Sequence, residues 1–278
     1  MPRYQNLEAL YNERQKYSGN QCGLVPTMGA LHEGHLSLIE QAQNENESVW
    51  VTIFVNPTQF NNPSDLHAYP ISLKEDIDAI FKINPNINIL IPSVQDMYPE
   101  QVRAKSYEFN GLDEVMEGKD RPGHFNGVVT IVSKLFEAVK PHRAYFGEKD
   151  FQQLQIINNW VKTANIPTTI VPCPIVREKN GLAMSSRNEL LTKKTRIEAG
   201  FIYNTLEYCA SNNMNKAAIY TYIANAFAKH PAFTLHYVVC VNENTLVEVS
   251  EVNGQEKQRL FVATSVEGVR LIDNIALK

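Results

Sequence analysis

Cys22-Gly23-Leu24-Val25-Pro26, then Gly34-His35-Leu36-Ser37-Leu38-Ile39-Glu40-Gln41-Ala42-Gln43, then Ser48-Val49-Trp50-Val51-Thr52-Ile53-Phe54-Val55: these three runs decide the fold class of the chain. The first is an apolar run of strand length. The second spaces Ile39 and Ala42 three apart, as a helix face requires, and the third is rich in β-branched and aromatic residues, which favour a strand. Downstream the alternation continues. Leu73–Ile83 puts Leu73, Ile77 and Ile80 on one helical face, and Ile87–Ile91 is a strand. Val128–Val139 carries a helical stripe of Val128, Ile131, Val132, Leu135, Phe136 and Val139. Ala144-Tyr145-Phe146 is a short strand, Leu154, Ile157 and Val161 mark a helix, and Thr168–Cys173 is a strand. Upstream, Glu8–Lys16 has helical character. Strands and helices in strict alternation predict an α/β fold, a Rossmann-like parallel sheet with helices on both faces.

Beyond Val176 the order changes. Two helical stretches, Lys193–Ala210 and Lys216–Lys229, precede the strand-like segments Thr234–Val241, Thr245–Val249, Leu260–Ala263 and Arg270–Asp273. Helices followed by strands predict a smaller α+β domain with an antiparallel sheet. The expected boundary lies near Pro174–Val176, giving domains 1–175 and 176–278.

With 278 residues, 44% of them hydrophobic and 20% charged, the chain can bury a real core, which excludes disorder as its main state. The net charge of −4 offers no overall basic field, which argues against a nucleic-acid partner. No apolar run approaches the ~20 residues that span a bilayer. Met1-Pro2-Arg3-Tyr4-Gln5-Asn6 lacks the apolar core of a signal peptide, so a cytoplasmic protein without membrane attachment is expected. The four cysteines, Cys22, Cys173, Cys209 and Cys240, form no C-x-x-C pair and are expected to be reduced and mostly buried.

Ligands of such sheets bind at the carboxyl ends of the strands. No G-x-G-x-x-G is present, and Gly111-x6-Gly118-Lys119-Asp120 departs from a P-loop in spacing and in its last residue. After the first strand comes Pro26-Thr27-Met28-Gly29-Ala30-Leu31-His32-Glu33-Gly34-His35. Two histidines three apart at a helix start, beside N–H groups and the positive dipole end, suit a polyphosphate and its transition state. A plain pair of half-exposed capping histidines would look the same. A zinc site fits less well, because H-x-x-H lacks the i, i+4 spacing and a third ligand.

Three further loops carry polar groups. Asn56-Pro57-Thr58-Gln59 offers two amides for a small polar substrate, or a turn fixed by Asn-Pro. In Gly147-Glu148-Lys149-Asp150, Lys149 is a point charge for phosphate and Asp150 a helix cap, with Gln153 one turn into the helix; a solvated helix start explains these charges equally well. Val176 to Asn188 places Met184-Ser185-Ser186-Arg187 in a loop suited to clamp phosphate, or in an interdomain turn with a cap.

Taken in order, Pro26-Thr27-Met28-Gly29-x-Leu31-His32-x-Gly34-His35, Phe54-Val55-Asn56-Pro57-x-Gln59-Phe60, Arg121-Pro122-Gly123-His124-Phe125, Phe146-Gly147-Glu148-Lys149-Asp150 and Ser185-Ser186-Arg187-Asn188 resemble the signature of the pantothenate synthetases, or pantoate–β-alanine ligases. The resemblance runs from about Leu24 to Leu271-Ile272-Asp273-Asn274. The H-x-G-H element itself is shared more widely among adenylyl-transferring enzymes.

The resemblance implies a nucleotidyltransferase domain followed by a lid-like one, usually in a homodimer. It implies two steps, formation of pantoyl adenylate from pantoate and Mg2+-ATP, then attack by β-alanine to give pantothenate and AMP. It implies that Met28, Gly29, Ala30, Leu31, His32, Glu33, Gly34 and His35 lie along ATP. His35 is then the proton donor, and His32 and Lys149 stabilise phosphate charge. Gly147, Glu148, Asp150, Val176, Met184, Ser185, Ser186 and Arg187 complete the ATP site. Gln59 and Gln153 hold pantoate, with Asn56, Pro26 and Thr27 close by. Asn180 stands where the family often has Asp. No residue is fixed as a Mg2+ ligand; Glu75 and Asp76 are candidates, with a solvated acidic helix start the preferred reading. Rival readings are nucleotidyl transfer onto an acceptor phosphate, against which the neutral Asn56, Gln59 and Gln153 argue, and a nucleotide-binding module without turnover.

Overall fold

The computed structural model describes residues 3–14 and 21–277, the side chain of Arg14 excepted. The expected end of the first helix, Gln15-Lys16, lies outside them. Residues up to Glu148 together with Gln153–Pro174 form one compact unit, and Lys149–Gln152 with Ile175 onward form the other.

The first unit is built on strands β1 (Arg3–Tyr4), β2 (Cys22–Thr27), β3 (Ser48–Ile53), β4 (Asn88–Leu90), β5 (Arg143–Gly147) and β6 (Thr169–Cys173). They form one sheet in the order β1-β4-β3-β2-β5-β6, with every pairing parallel. Helices α1 (Leu7–Arg14), α2 (Glu33–Glu45), α3 (Pro63–Ala68), α4 (Leu73–Ile83), α5 (Val94–Met97), α6 (Met116–Asp120), α7 (His124–Val139) and α8 (Phe151–Thr163) connect them. All of β3 is buried, as expected for a central strand with both faces covered. Leu24, Ile39, Trp50, Val51 and Ile80 are fully buried, and each Ile or Leu contributes roughly 1.5–3 kcal/mol by leaving water. β1 escaped the sequence reading because two residues at a sheet edge carry no alternation. α7 begins at His124 rather than Val128, launched by Gly123 at φ +80.

The chain lays β2, β3 and β4 outward in one direction, then crosses to place β5 on the other flank of β2. Loops after β2 and β5 therefore leave the sheet on either side of a topological switch point, where sheets of this kind bind ligands.

The second unit stacks α9 (Lys193–Glu198), α10 (Phe201–Ser211) and α11 (Lys216–Ala228) with an antiparallel sheet of β7 (Thr234–Asn242), β8 (Gln258–Val266) and β9 (Val269–Leu277). Its core joins Ile202, Leu206, Ile219 and Ile223 to Leu260, Val262 and Leu271.

Two expectations fail here. The single helix over Lys193–Ala210 is broken, because the Asn180 amide takes the carbonyls of Arg196 at 2.8 Å and Ile197 at 3.1 Å out of the helical ladder. Gly200 permits that approach; a Cβ there would lie 2.4 Å from the Asn180 carbonyl oxygen. Thr245–Val249 is a turn rather than a strand. The Asn242 side chain accepts the N–H groups of Asn244 and Thr245, Leu246 sits at φ +55, and one isolated bridge joins Glu248 to Val241. All four cysteines are buried thiols outside any disulfide.

Candidate active site

β2 ends at Thr27, whose hydroxyl donates to the Thr52 carbonyl at 2.6 Å and accepts the Gly29 N–H at 3.3 Å. The chain then turns through left-handed backbone, Gly29 at φ +88 and Ala30 at φ +49. For alanine that conformation costs roughly 1–2 kcal/mol. Asp76, on α4, holds it: its Oδ2 accepts the Ala30 N–H at 2.9 Å and its Oδ1 the Leu31 N–H at 2.8 Å. Ser72 donates to the same carboxylate at 2.9 Å. A Cβ at Gly29 would crowd Asp76 at 3.1 Å and Ile53 at 3.2 Å. Asp76 is buried, so the solvated helix start expected from the sequence is wrong for it. Its carboxylate braces the loop. Glu75 is exposed, and among the described residues no group of three His, Cys, Asp or Glu comes together to hold a metal ion.

His32 caps α2. Its Nδ1 accepts the Gly34 N–H at 3.1 Å, and the Nδ1 of His35 accepts the His32 N–H at 3.4 Å. The rings lie 4.1 Å apart, tilted by 38°. An Nδ1 that accepts places the proton of a neutral ring on Nε2, so both imidazoles are set as Nε2–H donors. The N–H groups of His35 and Leu36 bond to the His32 carbonyl at 2.7 and 3.1 Å. With Gly34 also engaged, these amides at the helix start are taken by His32 rather than offered to an anion, contrary to the sequence expectation. The side chains carry the donors instead.

Beyond β3, the buried Asn56 caps the turn Pro57–Gln59. Its Nδ2 donates to Gln59 Oε1 and to the Gly127 carbonyl, each at 3.1 Å, while its Oδ1 accepts the Tyr98 hydroxyl at 2.6 Å. Burial pushes the Tyr98 phenol above its ordinary pKa, which keeps it a donor. Gln59 Nε2 reaches Met28 Sδ at 3.0 Å, joining this loop to the one after β2. The Gln59 carbonyl receives His124 Nδ1 at 2.7 Å and Arg121 Nη2 at 3.4 Å, and Arg121 Nη1 lies 3.2 Å from His124 Nε2. A Cβ at Gly127 would fall 2.2 Å from the Thr58 carbonyl oxygen, so only glycine lets α7 support this turn. The Arg-Pro-Gly-His-Phe motif, to which the sequence reading gave no role, is thus the buttress of Gln59. Tyr98 and Thr58, also missed, left no signal beyond being polar.

Around Gly147 nothing lies within 4 Å of where a Cβ would be, leaving room on that side of the backbone. Gly147, Glu148 and Gln153 belong to the first unit, whereas Lys149–Gln152 group with the second. Lys149 Nζ lies 3.2 Å from Asp150 Oδ1, and its side chain is 21% exposed.

In the second unit the Val176 carbonyl accepts the Met184 N–H at 3.0 Å, closing a hairpin over Lys179-Asn180-Gly181. Ser185 caps the turn Ser186–Leu190, accepting the Arg187 N–H at 3.3 Å. Buried Asn188 ties the loop to Glu178 Oε1 at 2.8 Å and to the Ala183 carbonyl at 3.0 Å.

The first unit is a doubly wound parallel α/β sheet with two adjacent histidines and two bonded amides at its carboxyl edge, the architecture of a nucleotide-using enzyme. The family model for pantoate-beta-alanine ligases matches residues 2–276, and the chain belongs to that family. It is 49% identical to the pantothenate synthetase of Flavobacterium psychrophilum over 92% of each chain. Its structure is similar to that of the Thermus thermophilus pantothenate synthetase, with a TM-score of 0.91, 38% identity and 99% of each chain covered. The pantoate-beta-alanine ligase of Francisella tularensis, solved in complex with beta-gamma ATP and beta-alanine, gives a TM-score of 0.84 at 36% identity, covering 99% of this chain and 97% of that one. The chain is therefore an enzyme that condenses pantoate with β-alanine.

Proposed function

We propose that the condensation is driven by ATP through a pantoyl adenylate. A carboxylate oxygen of pantoate attacks the α-phosphorus of ATP. The bond from that phosphorus to the β-phosphate bridge breaks, and pyrophosphate leaves with Mg2+, which enters with the ATP phosphates. The β-alanine nitrogen then attacks the acyl carbon, the acyl–oxygen bond to AMP breaks, and the amine proton passes to solvent. The observation that carries this reading is the histidine pair: both Nδ1 atoms accept backbone N–H groups, so both rings present Nε2–H. Such donors favour the charge that builds on a transferring phosphoryl group.

Within this reading His35 donates its Nε2–H as a hydrogen bond to the transferring phosphoryl group, His32 and Lys149 stabilise charge, and the segment Met28–His35 follows ATP. Gly147, Glu148, Asp150, Val176, Met184, Ser185, Ser186 and Arg187 complete the nucleotide site. Gln59 and Gln153 hold the hydroxyls and carboxylate of pantoate beside Pro26 and Thr27. Asn56, bonded to Gln59, Gly127 and Tyr98, acts by fixing Gln59. The second unit serves as a lid-like domain, and the working form is a cytoplasmic homodimer using small-molecule substrates. Among the described residues no helix is long and apolar enough to cross a membrane.

Exchange of labelled pyrophosphate into ATP tests the scheme. Exchange is expected to need pantoate and Mg2+ but not β-alanine. Formation of ADP, or exchange that needs β-alanine, would overturn it.

A further inference from the structure

Lys149 sits at the start of a segment that packs with residues far from it in sequence. In the β8–β9 ladder Phe261 pairs with Asn274, and Arg259 pairs with Ala276. Side chains alternate along a strand, so Arg259, Phe261 and Asn274 share one face. The opposite face, with Leu260, Val262 and Leu271, is committed to the core. The first face receives the Lys149–Gln152 turn. Asn274 Nδ2 donates to the Lys149 carbonyl at 3.0 Å, and Asn274 Oδ1 accepts Arg259 Nη1 at 2.6 Å. The Arg259 guanidinium lies 3.9 Å from the centre of the Phe151 ring and pairs through Nε with Glu243 at 2.8 Å. Phe261 meets the same ring edge-on at 6.0 Å. Asn274 and Arg259 are 1% and 7% exposed, so neither is a loosely held surface group.

We infer that Asn274, oriented by Arg259, is a positioning residue for Lys149 in adenylation. This rests on the phosphate role of Lys149 proposed above. The chemistry requires an amide at this position. One end accepts from a guanidinium and the other donates to a carbonyl; a carboxylate cannot donate, and a hydroxyl has a single atom for both partners. A lysine ammonium acts as a point charge, so its effect on a transferring phosphate depends on where its backbone is held. Lys149 and its anchor lie 125 residues apart in the chain.

Comparison of the two half-reactions in Asn274→Asp separates positioning from stability. It keeps an acceptor for Arg259 but sets a carboxylate oxygen against the Lys149 carbonyl. Pantoate-dependent ATP–pyrophosphate exchange is measured for the wild type, Asn274→Asp, Lys149→Ala and the double variant, together with turnover of supplied pantoyl adenylate by β-alanine. Asn274→Asp is expected to slow exchange about 10- to 100-fold, the size of a misplaced group, and to leave the supplied adenylate reacting near the wild-type rate. In the Lys149→Ala background it is expected to cost almost nothing further, since residues acting as one unit are not additive. Arg259→Lys breaks the fork but leaves Asn274 in place. It is expected to repeat the pattern at smaller size, and decides the matter if Asn274→Asp does not fold. Equal loss in both half-reactions, or an undiminished loss in the Lys149→Ala background, would overturn the inference. Lys149→Ala slow and Asn274→Asp normal would overturn it alone. Lys149→Ala with wild-type exchange would overturn the role of Lys149 and the inference with it.

Discussion

The loop after β2 and the turn after β5 both carry groups suited to phosphate, yet they are held by different means. The histidine loop is fixed largely by itself. His32 and His35 cap one helix reciprocally, and the distant braces, Asp76 from α4 and Gln59 beyond β3, come from within the same unit. The Lys149 turn belongs instead to the C-terminal unit, anchored on Asn274 and Arg259. A locally built site can be read from a short stretch of sequence. A site anchored across the chain cannot, because its support is two polar residues inside strands whose apolar pattern is all the sequence displays.

The largest expected effect lies on the locally built side. His32→Ala and His35→Ala should each lower pantoate-dependent exchange by about 10²–10³, the loss seen for a transition-state donor. His32→Ala should also lose about 1 kcal/mol from the missing cap. His32→Ser then sharpens the distinction, since serine restores the cap but has no Nε2–H. Thermal unfolding should recover while exchange stays slow. Recovery of both together would make His32 a cap and nothing more.

Asp76 tests how far the histidine loop depends on its carboxylate brace. Asp76→Asn leaves one acceptor for two backbone N–H groups and turns an NH2 toward one of them. A buried donor left without a partner costs roughly 1–3 kcal/mol. The left-handed turn at Gly29-Ala30 should loosen, exchange should fall about tenfold or more, and the KM for ATP should rise more than that for pantoate. Stability measured by urea unfolding and the two KM values check this. An intact ATP KM would mean that the loop holds without Asp76.

Most of the first unit was legible because its strands and helices advertise their periods: β2, α2, β3, α4 and α8 appear where the apolar spacing placed them. The histidine loop was legible as a motif, but its chemistry was misread in one respect. The amides of His35 and Leu36 bond to the His32 carbonyl and that of Gly34 to the His32 ring, the last a contact set by a χ angle no spacing reveals. Asp76 was misjudged because an acidic residue in a first helical turn is usually solvated; only the fold brings Ala30 and Leu31 to it. Asn180 carries a similar lesson. At a turn either Asn or Asp is tolerated, but here the amide must donate to two carbonyls of α9, which a carboxylate cannot do.

The smallest expected effect concerns whether two differently built regions come apart independently. Each unit holds two buried cysteines, Cys22 and Cys173 in the first, Cys209 and Cys240 in the second. Burial pushes the Cys173 and Cys240 thiols up to about 12 and Cys209 to about 11, so little thiolate exists near pH 8. Native protein should resist iodoacetamide, and labelling should report opening. The chain passes between the units at Glu148–Lys149, Gln152–Gln153 and Pro174–Ile175. Unfolding the second unit frees the Lys149–Gln152 turn from Asn274 and Phe261, and that turn is the direct continuation of β5 into α8. Loss of that anchor should destabilise the β5 edge of the parallel sheet, where Cys173 ends β6. Both cysteine pairs should therefore label over the same range of urea, with midpoints that coincide. Asn274→Asp should then open a gap, exposing Cys209 and Cys240 at lower urea than Cys22 and Cys173. A gap already present in the wild type would mean that the shared turn does not couple the units, and that Lys149 is held by a region free to unfold alone.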